Sequence, residues 1–178
     1  MRRFAIIAVL LSATLGLAVP SQAAPYCGLS WGSTAETVER YTGATLSDIR
    51  VGRHGCFDRL VFDLDGRRAA GYRVRYVEAV KAEGSGDGIP LRGAAQLQVS
   101  VLAPAYGNSS RPTYTFQQPN ELVKVSGFRT LRQVAWAGSF EGQTTIGLGV
   151  RTRLPFRVFV LDGPSGGQRV VLDVAHRW

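Results

Sequence analysis

From Asp48 onward the chain runs in short stretches of alternating apolar and polar residues. That is the period-two signature of half-buried β-strands. Leu60, Phe62 and Leu64 alternate with Val61 and Asp63, and Tyr72, Val74 and Tyr76 alternate with Arg73 and Arg75. Leu97, Val99 and Val101 against Gln96, Gln98 and Ser100 give the cleanest alternation. Val134 and Trp136 mark another run, and Ile146, Leu148 and Val150 alternate with Gly147 and Gly149. Phe156, Val158 and Val160 flank Arg157, but Phe159 and Leu161 make that run apolar on both faces; Val170, Leu172 and Val174 close the series. Turn residues separate the runs at 65–66, 84–88, 104–112, 119–120, 141–142 and 162–167. The pattern predicts an all-β chain: a single antiparallel β-sandwich of about eight or nine strands, with a barrel as the alternative closure.

Residues 24–47 form a more polar lead-in. Ser33-Thr34-Ala35-Glu36 resembles a capping box and predicts a short helix over 35–41. Residues 103–119 are expected to form a long exposed loop, and no repeat of fixed period interrupts the pattern.

The first 23 residues read as a secretory signal. Arg2 and Arg3 precede an apolar run over 4–19, and Ser21-Gln22-Ala23 places small residues before a cut at Ala24. The alternative is a membrane anchor, but the run falls short of the ~20 residues a spanning helix needs. The expected organisation is a signal at 1–23, an extension at 24–47 and one domain at 48–178. Export makes Cys27 and Cys56 a candidate disulfide, with two free buried thiols as the alternative.

Composition narrows the chemistry. With 45% hydrophobic and 19% charged residues, the chain is globular, not disordered. Two cysteines and two histidines argue against a disulfide-dense miniprotein and a His/Cys metal centre, so no metal or cofactor is expected. The formal charge is +8, falling to +6 once Arg2 and Arg3 leave with the signal. Nineteen of the 21 basic residues are arginine, a bias that fits the codon usage of a GC-rich genome. They are scattered, without a basic run or a nucleic-acid reading motif, so nucleic acid is not an expected partner. A diffuse positive field still draws the chain to anionic surfaces. A solvated basic surface without a specific partner is the plainer alternative.

Several short motifs in one order are more specific. GRHGCFDRLVFDL at 52–64 runs into GYRVRYV at 71–77. Phe140-Glu141-Gly142 precedes GLGVR at 147–151 and LPFRV at 154–158, and RVVLDVAH closes at 169–176. This order resembles the secreted AMIN-like domain proteins of actinobacteria, and more distantly the AMIN domain. That resemblance implies a β-sandwich that holds a partner enzyme or pore at the envelope by binding peptidoglycan. The expectation is a module without an attached partner domain, and the resemblance supplies no established set of binding residues.

Candidate sites come from residue type. Arg53, His54, Asp58 and Arg59 surround Cys56; they form either a patch for a carbohydrate or carboxylate, or an Asp58–Arg59 pair at a strand start. Arg73 and Arg75 share one strand face, either as an anion site, which Arg92, Arg132, Arg151 and Arg157 would extend if strand pairing brought them near, or as an ordinary polar outer face. Gly147 and Gly149 share a face and call for either a ligand lying flat on the sheet or a covering aromatic such as Trp136. Trp31, Trp136 and Trp178 are candidate sugar platforms, with Trp178 the freest. Glu141 with Asp63 or Asp173, and His176, are the groups a hydrolase would need, but no motif spacing links them.

The expected function is therefore a secreted, non-catalytic envelope module, extracellular or wall-associated. Its expected partner is peptidoglycan or an anionic wall polymer. Its tentative ligand residues are Arg73, Arg75, Arg53, His54, Arg151, Arg157 and Trp178, with Cys27 and Cys56 bonded. The alternatives are an interaction module that meets another secreted protein through a sheet edge, and a wall-polymer hydrolase.

Overall fold

The computed structural model describes residues 24–178; the signal expected at 1–23 lies outside them. The described residues form eleven strands: β1 (Glu36–Val38), β2 (Thr45–Arg53), β3 (Phe57–Asp65), β4 (Tyr72–Val77), β5 (Val80–Lys81), β6 (Gly88–Ile89), β7 (Ala95–Val101), β8 (Leu131–Phe140), β9 (Gln143–Val150), β10 (Phe156–Asp162) and β11 (Gln168–Ala175). All pairings are antiparallel. One sheet has the order β1-β4-β7-β9-β8, the facing sheet β10-β11-β3-β2, and β5-β6 is a small hairpin. The all-β sandwich is thus as expected. The strands beyond the expected number are β1, β5 and β6, which are three, two and two residues long and too short for alternation to register.

Period-two alternation sends one side of each strand into the space between the sheets. Leu60, Phe62 and Leu64 of β3 meet Leu97, Ile146 and Leu148 of the opposite sheet in one core, completed by Phe156, Leu172 and Val174. β2 breaks the rhythm. A bulge between Leu46 and Asp48 shifts parity, so Leu46, Ile49 and Val51 all turn inward.

The lead-in is part of the sandwich. The helix expected at 35–41 is not formed; β1 pairs with β4 instead and is the edge of the five-stranded sheet. The would-be capping groups have other partners: Ser33 Oγ accepts from Arg153 Nε, and Glu36 Oε2 accepts from the Val158 amide of the other sheet. The Cys27–Cys56 disulfide is formed and ties the segment to the β2–β3 turn.

The stretch 103–119 is a loop, but it is not wholly exposed. Ala103, Ala105 and Tyr114 are buried, because the loop closes one end of the core by bonding β2 through Leu46 N to Pro104 O and Thr113 Oγ1 to Leu46 O. Tyr114 and Phe116 pack on Trp136, on the core side of β8. Trp136 therefore does not cover Gly147 and Gly149. The segment leading from β5 and β6 into β7 does: a Cβ on Gly149 would lie 2.0 Å from the Arg92 carbonyl oxygen, and one on Gly147 3.0 Å from Leu91 Cδ1.

Candidate functional site

Two groups of arginines stand out, and they are built differently. The first lies on the outer face of the four-stranded sheet. Register aligns Arg157, Asp173, Arg59 and Gly52 in one cross-strand row, and Leu161, Arg169, Asp63 and Asp48 in another. Arg59 donates from Nε and Nη2 to the two Asp173 oxygens at 2.6 and 2.9 Å, and Arg157 Nε adds a bond at 3.0 Å. Asp173 is fully buried under these two side chains. The Arg157 guanidinium lies 4.4 Å from the Trp31 ring centre and 4.8 Å from that of Phe159. Arg59 lies over Phe57 and Phe159. In the second row Asp63 takes Arg50 at 2.5 and 2.8 Å and Arg169 at 3.2 Å. Hydrogen bonds from Arg50 hold the Asp63 carboxyl below the usual carboxylate range against its partial burial, and Arg169 adds to the effect. Asp173 and Asp63 each serve two arginines.

The second group lines a cleft of about 450 Å³ at one open end of the sandwich, where β8 begins and β9 and β11 end. Arg129 and Arg132 enter from the chain around the start of β8, Arg151 follows β9, and Arg177 follows β11. Arg132 donates to the carbonyls of Phe128, Leu131 and Arg129, and Arg151 to those of Arg129 and His176. Arg177 lies over the Tyr26 ring. No carboxylate lines the cleft.

Behind its wall, Asp58 turns inward at the start of β3. Its Oδ2 accepts from the amides of Thr130 and Leu131, and its Oδ1 lies 3.1 Å from His176 Nε2. Asp58 and His176 are 1% and 5% exposed, and His176 Nδ1 has no hydrogen-bond partner.

The cluster expected around Cys56 is taken apart by strand parity. Arg59 points outward to Asp173 and Asp58 inward, so the expected Asp58–Arg59 pair does not form. His54 stacks on Phe57 at 4.5 Å, and Arg53 lies over Phe128. The arginines expected on one surface are likewise divided. Arg73 is held by both oxygens of Glu39 at 2.6 Å and by Gln143 and Tyr41. The Glu39 bonds push its pKa up, and the same contact holds Glu39 down. Arg75 is exposed beside it, and Arg92 pairs with Glu121. Of that set, Arg132 and Arg151 meet in the cleft, while Arg157 sits on the other face. Trp178 is 66% exposed, with Nε1 donating to the Arg153 carbonyl, whereas Trp31 is packed against Phe57.

Glu141 occupies the exposed β8–β9 turn with φ 49°, on the five-stranded sheet, and Asp173 lies on the opposite one. The acids a hydrolase would need are not brought together. Arg129 and Arg177 escaped the sequence reading. Their signal was position, since each lies two residues outside a strand end.

Among the described residues, no group of three or more His, Cys, Asp or Glu side chains is placed to hold a metal, and no helix is long and apolar enough to cross a membrane. No curated protein matches the chain. A family model does: residues 44–176, nearly all of both sheets, match the AMIN-like domain, and the chain belongs to that family.

Proposed function

We propose that this chain is a non-catalytic, secreted module that attaches to the cell envelope by binding peptidoglycan or an anionic wall polymer. AMIN-like membership points to an envelope context. The observation that carries the reading is the arginine cleft. Four guanidinium groups border one concavity whose lining holds no carboxylate, so the site gathers positive charge, whereas Arg50, Arg59, Arg73, Arg92, Arg157 and Arg169 each face a carboxylate. A concave, like-charged site concentrates anions near it, and salt screens the attraction within ~10 Å at 0.1 M.

The test is co-sedimentation with purified sacculi, with and without attached anionic polymer, at low and high salt. Retention that falls about tenfold between the two salt levels supports the reading. Retention on bare peptidoglycan at high salt assigns peptidoglycan as the ligand, and retention only with polymer assigns the polymer. No retention above a neutral control protein in any condition would contradict it. Turnover of wall material would contradict the non-catalytic part.

A further inference from the structure

Two guanidinium groups are held against each other at the open end of the sandwich. Arg132 Nη2 and Arg151 Nε both donate to the Arg129 carbonyl oxygen, at 3.2 and 3.3 Å. Their other bonds also go to backbone carbonyls, of Phe128, Leu131 and His176. Carbonyl dipoles orient these groups but carry no net charge, so the repulsion between the two cations stands. Arg129 and Arg177 bring two more positive charges to the same cleft. The carboxylate behind the wall, Asp58, is 1% exposed and is engaged by Thr130, Leu131 and His176. Arg132 Nε and Arg151 Nη1 take no part in these bonds, which leaves donors directed by groups already fixed in place.

The geometry points to an oxyanion site in this cleft, whose ligand is a phosphate group of an envelope polymer; this rests on the envelope-binding reading above. A carboxylate carries one charge and accepts hydrogen bonds in one plane. Arginines arriving from three chain segments, around the start of β8, after β9 and after β11, bring more charge than a single carboxylate balances. A tetrahedral phosphate presents its oxygens in several directions and accepts from several forks at once. Preset donors suit such a ligand, because less side-chain freedom is lost on binding.

The test titrates the protein with inorganic phosphate at constant ionic strength, following arginine side-chain N–H resonances, with acetate as the carboxylate comparison. Saturable shifts, at least about tenfold tighter for phosphate than for acetate, are expected. The double variant R129Q/R177Q should weaken phosphate by about tenfold or more. Arg177 gives up only its place over the Tyr26 ring and Arg129 lies in the cleft lining, so the variant should keep its structure. R67Q/R111Q, which removes the same charge from exposed loop positions, should bind as the parent does. Equal affinity for acetate, equal loss in R67Q/R111Q, or no saturable shift would overturn the site. Retention on polymer-bearing walls but not on phosphatidylglycerol vesicles assigns the phosphate to the polymer, and the reverse overturns that source. If walls retain the protein while phosphate fails to bind, this inference falls and the envelope reading survives. Phosphate binding without retention on any envelope material leaves the site and removes the reading.

Discussion

The outer sheet face and the end cleft use the same side chain to opposite ends. On the face, Arg59 and Arg157 share Asp173, and Arg50 and Arg169 share Asp63. Rings of Trp31, Phe57 and Phe159 lie against the first pair. Asp173 and Asp63 each offset one of two positive charges, and the guanidinium groups of Arg59 and Arg157 are engaged on their edges by Asp173 and on their faces by aromatics. In the cleft, Arg129, Arg132, Arg151 and Arg177 meet no lining carboxylate, and carbonyls do the orienting. An arginine matched to a buried carboxylate fastens strands together; a preset arginine without one is a binding group in waiting. Counting arginines says little about function, whereas asking what each one is paired with separates the two regions.

The N-terminal segment spans both, because Tyr26 borders the cleft and Trp31 the face, with Cys27 bonded to Cys56 between them. Cys27→Ser with Cys56→Ser should therefore disturb both regions. It is expected to cost about 3–4 kcal/mol on the chain-entropy model, read from urea denaturation. A loss below about 1 kcal/mol would show that the segment is held by its other contacts.

Asp173→Ala should act on the face alone. Removing one partner from a buried pair costs about 3–5 kcal/mol, and because both arginines stay partly exposed the expected loss is nearer about 2 kcal/mol. Wall retention should not change. A variant as stable as the parent that loses retention would reverse the roles given to the two regions.

A smaller effect is expected with acid. Because Arg50 and Arg169 hold the Asp63 pKa below its unfolded value, the unfolded chain binds more protons between the two values, and stability rises with pH across that window. The contribution is present above the unfolded pKa and is lost as pH falls through the folded one. Asp63→Asn should flatten the acid limb of a stability-against-pH curve, measured by thermal unfolding from neutral pH downward. An unchanged limb would remove Asp63 from the account.

The strands were legible because Leu97, Val99 and Val101, or Val170, Leu172 and Val174, face one core, and a single buried side imposes period two. β1 was not. Ser33, just before it, and Glu36, its first residue, fit a helix cap locally but find partners in Arg153 and Val158, more than a hundred residues away. The sites were harder to read for the same reason. Arg59 is 114 residues from Asp173, and which of Asp58 and Arg59 faces inward depends on the phase of one strand. Arg151 was visible as a candidate; its grouping with Arg129, Arg132 and Arg177 depends on which strand ends meet, and strand order lies outside local pattern. The cover over Gly147 and Gly149 shows how far local reasoning reaches. The need for a cover was readable, while its source, Leu91 and Arg92 and not Trp136, was set by the path of the chain between β6 and β7.

The most direct test compares two double variants that remove equal charge, R129Q/R177Q from the cleft and R50Q/R169Q from the sheet face. Each is measured for retention on polymer-bearing sacculi and for Tm. The cleft pair should lose most of its retention and change stability by less than about 0.5 kcal/mol. The face pair should keep its retention and lose about 1 kcal/mol through the unpaired Asp63. Equal loss of retention in both would mean that net charge alone binds the wall. Retention kept by the cleft pair and lost by the face pair would contradict the division between the two regions.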